Sequence, residues 1–302
     1  MTGPTGQRAL VTGGGGFVGG HLVEALAPDN DVTVLDDFSE GTREHLPESV
    51  TVVEGDVRDE ATVDEAVAGA DLVFHEAAIV SVERSVEDPT ESHAVNVDAT
   101  LSVLEAARRS DARVVFASSA AVYGAPVTTP TPEDTPKEPS SPYGLEKLTG
   151  DHYCRLYADL YGLDTVALRY FNIYGPRQAD GFYSGVIRKF VSQARVGGPI
   201  TVQGDGSQTR DFVHVSDVVQ ANLLAATTDH TGTAFNVGTG QPRTIAALAA
   251  AVRASVDPEV AIEHTDPRAG DIRDSCADVS RARDLLGYEP TVALEDGIET
   301  VD

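Results

Sequence analysis

The chain has 302 residues, 41% hydrophobic and 6% aromatic, enough to bury a core in one large α/β unit or in a large unit with a smaller partner. Its 48 acidic and 22 basic residues leave a formal charge of −26, which repels nucleic acid and anionic membrane and excludes both as expected partners. The acids are scattered, as on a strongly hydrated, salt-adapted surface. No apolar run approaches the ~18 residues of a membrane span, no secretory leader is expected, and Cys154 and Cys276 lack metal-like spacing, so a reducing cytoplasm without disulfide or metal site is expected.

Apolar β-branched runs alternate with amphipathic stretches, the pattern of βαβ units around a parallel sheet. In chain order the predicted elements are strand Arg8–Thr12, helix Gly16–Ala27, strands Val32–Asp36 and Thr51–Glu54, helix Ala61–Ala68 and strand Leu72–His75. A long helix Pro89–Arg109, strand Val114–Ser118, a second long helix Pro142–Tyr161 and strand Thr165–Arg169 follow. Pro89 and Pro142 suit first helical turns, and Pro126–Pro139 reads as a surface loop. The fold class is therefore α/β, a Rossmann-like doubly wound parallel sheet. From Asn172 the rhythm loosens, with helices at Gly185–Arg195, Val215–Ala226, Ile245–Ala254 and Val279–Leu286, as in a smaller C-terminal α/β lobe. The expected division is 1–171, with 211–236 returning to it, against 172–210 and 237–302.

The first strand runs into Gly13, Gly16 and Gly19, spaced G-x-x-G-x-x-G, and then into a helix. Glycine allows the tight turn and the backbone's approach to a pyrophosphate, and the helix N-terminus offers unpaired N–H groups to it. The second strand ends at Asp36–Asp37, placed to accept from ribose hydroxyls and to repel a 2′-phosphate, so NAD is favoured over NADP. Asp56 and Val57, after the third strand, are candidates for the adenine end.

Strand five ends in Ala117-Ser118-Ser119-Ala120-Ala121, and the next helix opens with Tyr143-Gly144-Leu145-Glu146-Lys147. Four residues apart, Tyr143 and Lys147 share a helical face. A phenol titrates near ~10; an adjacent ammonium and a cationic nicotinamide would bring it into the range of a general base for an alcohol proton. Ser119 would bind the same oxygen.

These pieces, with His75-Glu76-Ala77-Ala78, Asn96 in Asn-Val-Asp-Ala-Thr, Arg169–Arg177, Arg210–Val215 with Asp217, and Arg268-Ala269-Gly270-Asp271, resemble the extended short-chain dehydrogenase/reductases, specifically the NAD-dependent epimerase/dehydratase family of nucleotide-sugar enzymes, over nearly the whole chain. The resemblance implies catalytic roles for Ser119, Tyr143 and Lys147. It implies a cofactor set of Gly13, Gly16, Phe17, Val18, Gly19, Asp36, Asp37, Asp56, Val57, Ala77, Ala78, Asn96, Ser118, Tyr143, Lys147 and Tyr170. For a UDP-sugar substrate it implies Asn172, Arg210, Arg268 and Asp271, together with Ser81, Ser119, Tyr143 and Ser275. Guanidinium forks suit phosphate oxygens.

Within the family, the 4,6-dehydratases resembling this chain carry an Asp-Glu pair after the serine, and UDP-glucuronate decarboxylases a glutamate. Ala120 and Ala121 stand there and transfer no protons, which leaves UDP-hexose 4-epimerisation as the expected reaction. Ser275 stands where a tyrosine in relatives excludes N-acetyl sugars, so UDP-GlcNAc and UDP-GalNAc are expected beside UDP-Glc and UDP-Gal. UDP-glucuronate stays open, with Arg84 as a conceivable carboxylate partner. A non-catalytic NAD-binding regulator would usually lose the tyrosine or lysine. The two long helices match a four-helix dimer seam in relatives, so a homodimer is expected.

Overall fold

A computed structural model describes residues 3–178, 185–267 and 272–301. Strands β1 (Arg8–Thr12), β2 (Asp31–Asp36), β3 (Thr51–Glu54), β4 (Leu72–His75), β5 (Arg113–Ser119), β6 (Thr165–Tyr170) and β10 (Thr233–Val237) form a seven-stranded sheet in the order β10-β6-β5-β4-β1-β2-β3. Every pairing in it is parallel. Both faces are covered, which is why these strands read as continuous apolar runs. Val11, Phe74, Val115 and Leu168 point to one core, while Leu10, Val73, Phe116 and Ala167 point to the other.

Helices α1 (Phe17–Leu26) and α8 (Val215–Ala225) pack together against the first core. Helices α2 (Glu60–Val67), α5 (Ala99–Ser110) and α6 (Pro142–Tyr161) cover the second. Gly150 of α6 lies against Phe116, where a Cβ would come within 2.4 Å of the ring.

The predicted helix Pro89–Arg109 is not one rod. Helix α3 (Val82–Glu87) precedes it, α4 (Pro89–His93) runs into a π-helical turn over Ala94–Asp98, and α5 follows. The cause is Asn96, buried in that turn, whose amide accepts from the Ile79 N–H and donates to the Ile79 carbonyl at 2.9 and 3.0 Å.

The remainder builds two small sheets. Strands β7 (Asn172–Tyr174), β9 (Thr209–His214) and β11 (Pro242–Thr244) form one; β8 (Ile200–Gln203) and β12 (Ile262–Thr265) form the other. Helices α7 (Val186–Arg195) and α9 (Ile245–Val256) pack there around Phe190, Val202, Leu248 and Val252. Helix α10 (Ser280–Leu286) returns to the first core through Ala282 and Leu286, and α11 (Leu294–Ile298) ends the order.

Candidate active site

The strand order reverses between β1 and β4, and a crevice opens there at the strands' carboxyl ends. A cavity of about 1090 Å³ fills it and continues over β7 and β9. That exceeds the roughly 300–1,000 Å³ of ordinary single-ligand pockets and suits two ligands side by side.

At one end lies the glycine turn. Gly13 has φ +70° and packs so closely that a Cβ would meet the Ala77 nitrogen at 2.6 Å; a Cβ on Gly19 would meet the Gly13 carbonyl oxygen at 2.1 Å. Helix α1 has no side-chain cap and no acid in its first turn, so its positive end faces the cavity uncompensated. Asp36 accepts from the Gly15 N–H at 2.8 Å and the Phe38 N–H at 2.7 Å, which fixes the turn against β2. Asp37 accepts from Ser39, and Asp56 holds Arg58. This cradle fits the pyrophosphate and adenosine ribose of a dinucleotide.

At the junction of the two halves stand the reactive groups. Lys147, buried, donates from Nζ to the Ala117 carbonyl at 2.9 Å, and desolvation lowers its pKa to about 8. The Tyr143 phenol is hydrogen-bonded to Ser119, which pulls its pKa down, but burial is the larger effect and raises it. The protein's own groups thus hold the phenol's pKa above its ordinary value, with Glu146 and Glu76 adding to the effect of burial, so the acidification expected from Lys147 does not show in the protein alone. Ser119 also accepts from the Ala121 N–H. Ser118 turns its hydroxyl to buried Asp151.

Of the expected cofactor set, all but Asn96 line the cavity. Asn96 sits behind the wall, bonded to Ile79 and to Glu146, and positions the chain after β4. Of the expected substrate set, Ser119, Tyr143, Asn172, Arg210 and Ser275 line the cavity. Ser81 does not: its hydroxyl caps α3, accepting from the Arg84 N–H at 3.0 Å. Arg268 and Asp271 lie outside the described residues. Arg84 is held by Glu40 at 2.9 Å and Glu91 at 3.0 Å, so two carboxylates already compete for the guanidinium considered for a uronic acid.

Sequence reasoning missed two features. Glu76 lines the cavity, accepts from the Tyr170 hydroxyl at 2.8 Å, and is raised by burial to about 7. A buried ion pair, Arg169 with Asp151 at 2.8 Å, braces the wall through the Tyr123 hydroxyl and the Glu133 carbonyl. An acid directly after a buried apolar strand was the available signal for Glu76; Arg169 sat in a recognised motif without a role.

Residues 9–238 match the profile of the NAD dependent epimerase/dehydratase family. The chain belongs to that family. It is an NAD-dependent enzyme. A UDP-glucose 4-epimerase of Mycolicibacterium smegmatis is 40% identical over 301 residues, spanning 97% of this chain and 96% of the relative. A UDP-N-acetyl-alpha-D-glucosaminuronate decarboxylase of Bacillus cytotoxicus is 34% identical over 309 residues, with the same coverages of 97% and 96%. Among solved structures, the UDP-N-acetylglucosamine 4-epimerase of Methanobrevibacter ruminantium, in complex with UDP-N-acetylmuramic acid, superposes with TM-score 0.95 at 37% identity, covering 98% of this chain and 97% of that one.

Proposed function

We propose that the enzyme catalyses NAD-dependent 4-epimerisation of a UDP-hexose, with UDP-Glc/UDP-Gal and the N-acetylated pair as substrates. The observation that carries this is the convergence of Ser119, Tyr143 and Lys147 at the junction of a two-ligand cavity, beside Ala120 and Ala121, which bring no further acid or base. The names borne by the similar proteins support the same class of reaction.

Bound NAD would supply the hydride acceptor for the sugar's C4–H and the donor for its return. Gly13, Gly16 and the start of α1 receive its diphosphate, and Asp36 and Asp37 its adenosine ribose. Tyr143 takes the C4 hydroxyl proton and gives it back; Lys147 holds positive charge beside the phenolate, and Ser119 orients the oxygen. Asn172 and Arg210 hold the UDP diphosphate, with Arg268 and Asp271 completing that half. Ser275 leaves room for an N-acetyl group. Residues 1–171 with 211–236 act as the cofactor unit, and 172–210 with 237–302 as the sugar-nucleotide lobe. Leu145, Leu156, Leu160 and Tyr161 are exposed on α6, which supports pairing of two copies through α5 and α6 in a cytoplasmic homodimer.

The test is incubation with NAD and UDP-Glc, UDP-GlcNAc or UDP-GlcA separately at high salt, with products separated by chromatography. Interconversion of the 4-epimers is expected for the first two. Loss of CO₂ from UDP-GlcA, or no product from any of them, would overturn the reading.

A further inference from the structure

We propose that Glu76 is the counter-charge of the cofactor's nicotinamide ring and biases the bound dinucleotide toward its oxidised form. The inference rests on the reading of this cavity as an NAD site that oxidises a sugar alcohol.

The position of Glu76 follows from the sheet. A dinucleotide held by the glycine turn after β1 and delivered to Tyr143 and Lys147 beyond β5 has to cross the end of β4, which lies between those strands. Glu76 is the first residue past that end, and Gly13 packs against its carbonyl carbon and the Ala77 nitrogen. The carboxyl group is held in place: the Tyr170 hydroxyl donates to Oε1 at 2.8 Å, and Tyr170 in turn accepts from the Asn222 amide at 2.8 Å. Burial of a carboxyl there costs desolvation, which the single Tyr170 bond only partly offsets, and the neighbouring Ala77, Ala78 and Ile79 are apolar.

Glu76 also interacts with the reactive pair. Its charge raises the pKa of Tyr143 and supports the positive form of Lys147. Raised to about 7, it is poised so that a cation beside it decides its ionisation. The oxidised ring carries that positive charge and the reduced ring does not, so an ionised carboxylate there stabilises one redox state and not the other. For a reaction that needs the cofactor oxidised at the start and end of each turnover, this bias shortens the lifetime of the reduced enzyme with its ketone.

The experiment is titration calorimetry of NAD⁺ and NADH separately into the wild-type protein, Glu76→Gln and Glu76→Asp, with no sugar nucleotide present. In Glu76→Gln the ratio Kd(NAD⁺)/Kd(NADH) should rise on the order of tenfold, while Glu76→Asp keeps a ratio near that of the wild type. An unchanged ratio in Glu76→Gln overturns the proposal. If that variant does not fold, Tyr170→Phe replaces it: without its donor the carboxyl ionises less readily, and the same ratio should rise several-fold, an unchanged value again overturning the proposal. Because no sugar enters the measurement, a shifted ratio in a protein that converts no UDP-sugar would sustain this inference while removing the substrate assignment.

Discussion

The ammonium of Lys147 and the carbonyl oxygen of Ala117 are 2.9 Å apart, so the start of α6 is bonded directly to the end of β5, the strand that carries Ser118 and Ser119. The lysine is thereby placed by a backbone carbonyl, and burial lowers its pKa to about 8 against the opposing pull of the Glu76 and Glu146 charges. A lysine is charged below its pKa, so kcat/KM should fall as pH rises through about 8. Lys147→Arg stays charged across that range; its pH profile should lose the alkaline limb even where its rate is lower. A limb unchanged in position in the arginine variant would assign the titration to another group.

Tyr143→Phe keeps the buried ring and removes the acid–base oxygen. Turnover should drop by roughly 10²–10⁴, while the affinity for NAD, measured by calorimetry, stays within a few-fold. Turnover within a few-fold of wild type would remove Tyr143 as the base.

Most of the sheet was legible because its strands are rich in β-branched residues and all but the edge strand β3 carry buried apolar runs; β1, β3 and β4 begin and end where their composition changes. The glycine turn and the tyrosine–lysine pair were legible because their spacing is local, within one turn or one helix face. Asn96 and Ser81 lie off the cavity lining for a different reason. Both are polar residues in the right neighbourhood that are engaged elsewhere: the Asn96 amide is bonded to the Ile79 backbone and the Glu146 carboxylate, and the Ser81 oxygen accepts from the Arg84 N–H. Ile79 lies 17 residues from Asn96 and Glu146 lies 50 away, and no periodicity announces either. Glu76 and Tyr170 meet across 94 residues, and that meeting depends on strand order, which is a property of the sheet and not of either segment.

Ser275 lines the cavity and is buried, with its backbone N–H donating to the Thr209 carbonyl of β9. Its side chain is therefore held at a fixed place in the wall. Ser275→Tyr should reduce kcat/KM for UDP-GlcNAc at least tenfold more than for UDP-Glc, in the range that steric rejection in a pocket achieves. Equal losses on both sugars would show that the residue does not face the C2 substituent.

A net charge of −26 on 302 residues makes the folded chain repel itself. Surface pairs such as Arg8–Asp71 and Arg177–Glu24 weaken in salt, but the acids outnumber the bases more than twofold, so screening of repulsion dominates. Melting followed by circular dichroism should give a Tm higher by on the order of 5 °C or more in molar KCl than in 0.1 M. A Tm that falls with salt would show that the ion pairs prevail.

His75 and Glu76 are neighbours in sequence with opposite linkage to pH. His75 is fully buried, accepts or donates to the hydroxyls of Thr12 and Thr100, and its pKa is lowered by burial from 6.5 to about 3. Unfolding therefore takes up a proton below pH 6.5, and its contribution to stability is present above that pH and is lost as the pH falls toward 3. Glu76, raised by burial from 4.5 to about 7, behaves in reverse. Its stabilising contribution is complete below pH 4.5 and is lost as the pH rises to 7, because over that window the unfolded chain has released a proton that the folded state still holds. Between pH 4.5 and 6.5 the two slopes oppose each other, each at most ~1.4 kcal/mol per pH unit. Glu76→Gln removes one of them. Relative to wild type, the variant should gain stability steadily as the pH is raised from 4.5 to 7 and remain at that advantage above it, as read from paired urea melts at pH 5 and pH 8. A difference between the two proteins that is the same at both values would mean that the carboxyl of Glu76 titrates alike in the folded and unfolded chains, and with it would go the claim that its ionisation waits on a neighbouring cation.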